Sequence, residues 1–398
     1  MRTLKIFTLL FVVCLLFALL VGCGETAETT DPEATEPVDT TVEITEPAET
    51  TVAVTEPPVP QLNVYYPVAD VRQNIKLIGR SQFVRGTVAS DWSASGIEFE
   101  YEGYGILEIT VERGGEGTSN VALVAEVDGK STTLTVSETG VASFRLASEL
   151  PQGVHHVLIR RRTMVEKDAK GMTLQFKGIQ LTGFFCEKPA NKTYKVAFVG
   201  DSITCGVGIS GSNGLATYAV DFCTRENLDY DICSISGIGV YHSTKKHGGT
   251  AHSMTEYYPY YNYYRSDTLR YLPERKADLV IVNLNTNDSN TGSSSDETAY
   301  KAALKTLISE IRAAHGENVN ILWVVGMMVS PSVQVNQWLN SVFTELGGES
   351  AGLYKITVDT DTSGESGHPS LASHQAVSQA LSAYIRSKGL LDLPAQSN

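Results

Sequence analysis

The sequence predicts two folded domains: an antiparallel β-sandwich, then an α/β domain with a parallel sheet. Residues 62–187 alternate apolar and polar with period two. Residues 193–393 alternate short apolar runs with stretches of helical period, the pattern of buried strands between helices. The residues ahead of both have a composition that cannot build a core.

The N-terminus carries Arg2 and Lys5, then an apolar run over 6–21 that ends in Leu20-Val21-Gly22-Cys23. A basic head, an apolar core and small residues before a cleavage point describe an export signal over 1–23. The run is short for a membrane span, which needs about 20 apolar residues. Leu-Val-Gly-Cys resembles a bacterial lipobox, and that resemblance implies cleavage before Cys23 and a lipid anchor on it. Residues 24–61 are rich in Thr, Glu and Pro, and a Thr-Glu-Pro triplet recurs at Thr35, Thr45 and Thr55. They hold ten acidic residues and no Lys or Arg. Proline stiffens such a segment and like charges extend it, so it is expected to be a spacer. Signal and spacer together account for most of the net charge of −14, because without them 29 basic residues face 35 acidic ones. A mildly acidic body gives no electrostatic basis for binding nucleic acid.

In the first domain Ile97, Phe99 and Tyr101 share one face, and Glu98, Glu100 and Glu102 the other. Further strands are expected over 107–111, 121–128, 132–137, 141–146, 154–160 and 172–181, with turns at Gly114-Gly115 and Asp128-Gly129. Many short strands without a long helical pattern predict a sandwich of the jelly-roll kind. In the second domain the apolar runs are 194–199, 230–235, 277–283 and 319–325. The helical pattern is clearest over 296–315, where Tyr300, Ala303, Leu304, Leu307 and Ile311 fall on one face, and a last helix is expected over 373–388. Chemistry in such sheets gathers beyond the carboxyl ends of the strands.

Three motifs follow such ends and a fourth lies in a loop that can reach them. The first strand ends in Gly200-Asp201-Ser202-Ile203-Thr204, which can present a serine hydroxyl above the sheet as a nucleophile. The second ends in Ser236-Gly237-Ile238-Gly239, and the third in Asn285-Thr286-Asn287-Asp288. Near the C-terminus stands Gly364-Glu365-Ser366-Gly367-His368-Pro369. The order Ser, Gly, Asn, His resembles the blocks of the SGNH, or GDSL-like, hydrolases. The resemblance implies Ser202 as nucleophile and His368 as its base. It implies an oxyanion hole from the backbone of Ser202, the backbone of Gly237 (or Gly239) and the amide of Asn287. Two positions depart from the pattern. Asn285 stands where glycine is usual, and Glu365 where aspartate is. Glu365 is one expected third member of a triad; a backbone carbonyl could serve instead and leave a dyad.

The motifs Gly200-Asp201-Ser202-Ile203-Thr204-Cys205-Gly206 and Ser236-Gly237-Ile238-Gly239 are similar to carbohydrate esterase family two, as are Ile78-Gly79-Arg80 and 95–99. That family pairs a β-sandwich with an SGNH domain, and its members remove acetyl groups from xylan and mannan. The implied function is a serine esterase acting on an acetylated polysaccharide or oligosaccharide. It would need no metal or cofactor, work as a monomer, and be tethered by its lipid to the outer face of a bacterial membrane. The alternatives are an esterase or acyltransferase on other acylated glycans, and an inactive surface glycan-binding protein.

The tyrosine-dense stretch 257–264, with Tyr260, and Trp338 are candidates for stacking on sugar rings; domain packing and a helix core respectively are the other readings. His242, His247 and His252 recur every five residues, which does not align them on one helical face as a metal site would want. Cys186, Cys205, Cys223 and Cys233 lack paired spacing and read as free thiols.

Overall fold

Strict alternation along the first domain becomes one antiparallel sheet. The computed structural model describes residues 62–114, 120–164, 173–241, 253–262, 269–289, 296–328 and 332–394; Cys23, the signal, the spacer, His242, His247 and His252 lie outside them. The strands are β1 (Val64–Pro67), β2 (Lys76–Ile78), β3 (Gln82–Val84), β4 (Thr87–Ala89), β5 (Gly96–Arg113), β6 (Val121–Val127), β7 (Lys130–Val136), β8 (Gly140–Arg161) and β9 (Leu174–Phe185). They pair in the order β3-β4-β9-β5-β8-β6-β7, with β1 on β9 and β2 on β5. Strands expected as separate at 97–101 and 107–111, and at 141–146 and 154–160, are continuous as β5 and β8. Their register shifts between Gly103 and Glu108, so each strand changes course there without ending. The inward residues, among them Phe99, Ile109, Leu123, Val157, Phe176 and Leu181, form one core.

The second domain is a five-stranded parallel sheet: β10 (Lys195–Gly200), β11 (Asp229–Ser234), β12 (Leu279–Asn283), β13 (Asn320–Met327) and β14 (Leu353–Thr360), ordered β11-β10-β12-β13-β14. Side chains alternate between two buried faces. Val196, Phe198, Ile281 and Val324 pack towards α2 (Tyr218–Arg225) and α7 (Leu371–Lys388). Ala197, Val199, Val282 and Trp323 pack towards α5 (Glu297–His315) and α6 (Val333–Glu345). Helix α5 buries Tyr300, Leu304, Leu307 and Ile311, as its period predicts. β10 opens the sheet, with its successor on one side and β12 on the other, so the chain reverses direction across the sheet between β10 and β12. In open α/β sheets ligands bind beyond the carboxyl ends of the strands at such a reversal, here those of β10, β11 and β12.

The two domains are joined by buried contacts. Trp92 from the first lies in the apolar core of the second, and its indole N–H donates to the Tyr261 carbonyl at 2.5 Å. Arg80 is buried 3.7 Å from Asp231, under the rings of Tyr271, Tyr258 and Trp92. Its guanidinium also donates to the carbonyls of Tyr258 and Tyr260. The described part of the tyrosine stretch thus builds the domain junction. Tyr260, expected as a sugar platform, gives its carbonyl to Arg80 and bridges to Arg270. Tyrosine suits this place because its ring buries area while its hydroxyl and backbone remain available for hydrogen bonds.

Candidate active site

The position of Ser202, the expected nucleophile, is set by where β10 stops. Gly200 ends the strand, Asp201 caps the one-turn helix α1 (Ser202–Cys205) by accepting the Ile203 N–H at 3.0 Å, and Ser202 is its first residue. Ser202 is 6% exposed. Its Oγ lies 2.9 Å from His368 Nε2, a contact spanning 166 residues. His368 Nδ1 lies 3.2 Å from the Ser366 carbonyl. A carbonyl can only accept, so that contact puts the hydrogen on Nδ1 and leaves the Nε2 lone pair facing the serine hydroxyl.

Glu365 is therefore not the orienting group in this geometry. It is exposed, and its hydrogen bonds among the described residues come from its backbone: its N–H donates to Gly208 and its carbonyl accepts from His368. The loop bends through Ser366 at φ 55° and Gly367 at φ 69°. Left-handed backbone at a non-glycine residue is uncommon; here it turns the Ser366 carbonyl back under the imidazole.

His374, six residues on, is a second histidine near the first. It is buried, its Nδ1 accepts the Tyr218 N–H at 3.0 Å, and burial pushes it down to about 4. It stays neutral and holds α7 against α2.

Asn287 begins from the turn after β12, in the short helix α4 (Thr286–Ser289). Its amide donates to the Ile238 carbonyl at 2.7 Å and to Asp201 Oδ2 at 3.3 Å. Ile238 adjoins Gly237, which turns at φ 81° after β11. Asp288 ties the same turn down by accepting the N–H groups of Val240 and Tyr241 at 2.9 and 3.0 Å. The Asn287 amide thus touches both the residue before Ser202 and the residue after Gly237, joining the ends of three neighbouring strands. Asp201 is fully buried; desolvation chiefly, with the Asp288 carboxylate, pushes its carboxyl up to about 7.

The unusual Asn285 now has a physical account. Its φ is 92°, a conformation glycine adopts freely and asparagine more readily than most other side chains. The Tyr300 hydroxyl donates to its Oδ1 at 2.6 Å and fixes it there. The family's glycine is replaced by a residue that tolerates the same backbone.

Trp338, the other expected sugar contact, is a correction. It is 5% exposed in the core of the second domain, with its ring centroid 5.7 Å from Tyr300. An aromatic at helical period cannot be told from a cleft residue by sequence, and here α6 turns it inward.

Asp361 was not singled out by the sequence. Its carboxylate accepts from the N–H groups of Ser363 and Ser370 and from the Ser373 hydroxyl, at 2.9, 2.9 and 2.6 Å. These bonds hold its carboxyl far below the ordinary range and close the loop that carries His368. The available signal was an aspartate followed by serines at turn and helix-cap spacing. A groove of about 350 Å³ between the domains, lined by Lys76, Asp229, Lys195 and Arg275, opens at the other end of β10 and holds none of the expected residues.

With this geometry in view, residues 198–376 match the GDSL-like lipase/acylhydrolase family and residues 77–189 the carbohydrate esterase 2 N-terminal domain. The chain is 29% identical over 322 residues to the cellulase/esterase CelE of Acetivibrio thermocellus, covering 75% of this chain and 37% of that protein. It thus spans little more than a third of that relative's length. A family two carbohydrate esterase from Clostridium thermocellum, solved in complex with cellohexaose, superimposes with a TM-score of 0.67 at 28% identity, covering 80% of this chain and all of that one. An acetyl xylan esterase from the rumen bacterium Butyrivibrio proteoclasticus shares the fold, with a TM-score of 0.70 at 21% identity over 83% of this chain and all of its own. Residues 77–189 and 198–376 are thus similar, in the same order along the chain, to the amino-terminal domain of carbohydrate esterase family 2 and to the GDSL-like hydrolases.

Proposed function

We propose that the protein is a carbohydrate esterase that removes O-acetyl groups from cell-wall polysaccharide of the xylan or mannan type. The observation that carries this reading is the 2.9 Å contact of Ser202 Oγ with His368 Nε2 beside the Asn287 amide. His368 takes the Ser202 proton as Oγ attacks the ester carbonyl. The carbonyl oxygen becomes an anion held by backbone N–H groups of Ser202 and Gly237 and by the Asn287 amide. Of the two Asn287 N–H groups, the one held by Ile238 at 2.7 Å orients the amide. The other makes the longer contact, 3.3 Å to Asp201, and is the donor left for the developing anion when the amide as a whole shifts. His368 then protonates the departing sugar oxygen, the acyl group stays on Ser202, and a water activated by His368 releases acetate. The Ser366 carbonyl holds the imidazole in the required tautomer, so the pair works as a dyad.

The substrate class rests on the relatives. One is named an acetyl xylan esterase, and another was solved with cellohexaose. The lipobox-like Leu20-Val21-Gly22-Cys23 supports tethering through Cys23 at the outer face of the membrane, with 24–61 as spacer. The test is acetate release from acetylated xylan and acetylated mannan by the chain and by Ser202→Ala. Release that falls at least about 10⁴-fold in the variant supports the reading. Glycan binding retained with no release from either polymer, or from a small aryl acetate, would replace it with a binding function.

A further inference from the structure

Residues 206–214, just after α1, touch the first domain on one side and the histidine loop on the other. On the first side the Gly214 N–H donates to the Arg162 carbonyl at 3.0 Å, and Asn213 forms an antiparallel bridge with Thr163. Arg162 and Thr163 continue from β8. Thr163 is pinned to β6, because its Oγ1 accepts the Ala122 N–H at 2.5 Å. The approach is close: a Cβ added at Gly214 would lie 3.0 Å from Ser93 Cβ and 3.1 Å from the Arg162 carbonyl oxygen.

On the second side the Gly208 carbonyl accepts the Glu365 N–H at 3.0 Å. Gly208 has φ 96°, and a Cβ there would stand 2.5 Å from His368 Cβ and 2.7 Å from the Pro369 carbonyl oxygen. At Gly364 it would meet the Gly208 carbonyl at 2.7 Å. One short segment, with glycine at its two closest approaches, therefore spans from the first domain to the histidine loop.

We propose that the sandwich domain positions His368 against Ser202 through residues 206–214, with Thr163, Gly214 and Gly208 as positioning residues. This rests on the reading of Ser202 and His368 as nucleophile and base. Glu365, Ser366 and Gly367 are exposed, and beyond Asp361, whose N–H donates to the Met327 carbonyl, the histidine loop is held mainly by bonds within 361–373, so a displacement of 206–214 moves it. A misplacement of about 1 Å at a reacting pair can cost about 10²-fold in rate.

The test uses the full chain with Gly214→Val, Gly214→Ala, and Gly214→Ala combined with Ser93→Gly, which removes the carbon the new methyl meets. Each is assayed on 4-nitrophenyl acetate, a substrate too small to need the sandwich. The His368 imidazole is titrated by NMR, and thermal unfolding is recorded. For Gly214→Val the expected result is a kcat loss of about 10- to 10²-fold with KM within about twofold and a displaced His368 midpoint. Gly214→Ala should lose less, and Ser93→Gly should restore it. If Gly214→Val fails to fold, the alanine variant and its rescue decide. Variants that keep kcat and the His368 midpoint while only their Tm falls would overturn the proposal. If the unaltered chain cleaves no ester, the esterase reading fails on its own, and the His368 midpoint still reports whether 206–214 carries the contact.

Discussion

Ser202 and His368 meet at 2.9 Å, but they reach that distance by unlike routes. The serine half is buried and built from strand ends. Asp201, Ser202, Asn287 and Asp288 are all less than 9% exposed, and the hydrogen bonds of Asn287 and Asp288 to Asp201 and to the turn 238–241 join residues 47 to 86 apart in sequence. The histidine half lies near the surface in the loop 361–370. Most of its bonds span 2 to 12 residues; the longer ones join Asp361 to the Met327 carbonyl, Glu365 to the Gly208 carbonyl and His368 to Ser202. The first half is fixed by the parallel sheet, so it is as rigid as the core. The second is fixed by turn chemistry and by one neighbouring loop. Damage to the first half should appear as lost transition-state binding, and damage to the second as a misaligned base.

The sharpest test of the first half is Asn287→Ala. It removes the amide proposed as an oxyanion donor, which Ile238 braces, so the expected loss is about 10²–10³ in kcat, or about 2.7–4 kcal/mol, with little change in KM. Steady-state kinetics on 4-nitrophenyl acetate measure it. A loss under threefold would mean that the amide serves only to tie the Ile238 turn.

Gly208→Ala tests the point where the halves touch. The new methyl would stand 2.5 Å from His368 Cβ in a backbone conformation that alanine disfavours. A kcat loss of about 10- to 10²-fold is expected, with a fall in Tm of a few degrees from the backbone strain. Equal kcat in a folded variant would show the histidine loop to be independent of its neighbour.

What the sequence made legible follows the same division. Ser202, Gly237 and Asn287 could be placed because buried strands announce their ends through apolar runs, and the motifs sit at those ends. His368 was legible only as a motif residue. The sequence left Glu365 and a backbone carbonyl as candidates to orient it, but not which carbonyl, because every residue has one. The conformation of Asn285 was hidden for a related reason: the sequence showed a missing glycine but not that asparagine adopts the same φ. Trp338 was expected in a cleft and lies in a helix core, because an aromatic side chain suits a junction, a helix core or a sugar cleft equally well. Only packing distinguishes these places.

A smaller effect is expected at Asp361. Asp361→Asn keeps the shape but weakens the acceptors for Ser363, Ser370 and Ser373, and kcat should fall about tenfold as the loop loosens. The pH dependence has a definite sign. The Ser373 hydroxyl, first among its partners, holds the folded carboxyl well below the usual value, so its stabilising contribution is complete above about pH 4. It is lost only as pH falls below that value. Urea unfolding should therefore show the variant less stable than the parent at pH 7, with the gap narrowing below pH 4. A gap that widens in acid would contradict the hydrogen-bonded assignment.

The smallest effect separates the motif from the geometry. If Glu365 oriented the imidazole as the family's aspartate would, Glu365→Gln would remove the charge that stabilises imidazolium in the transition state. Activity would then fall by orders of magnitude, as when a triad aspartate is neutralised. In the structure the carboxylate is exposed, and its residue's backbone makes the contacts to Gly208 and His368. Glutamine at the same position leaves both backbone bonds and the Ser366 carbonyl in place. The expected change in kcat is less than about twofold, with the acid limb of the pH–rate profile unmoved, because no charge near the imidazole is lost. A tenfold loss with a shifted acid limb would return Glu365 to the triad and reduce the Ser366 contact to a feature of the free protein. The same variant thus tests whether the histidine half depends on side-chain identity or on the path of its backbone.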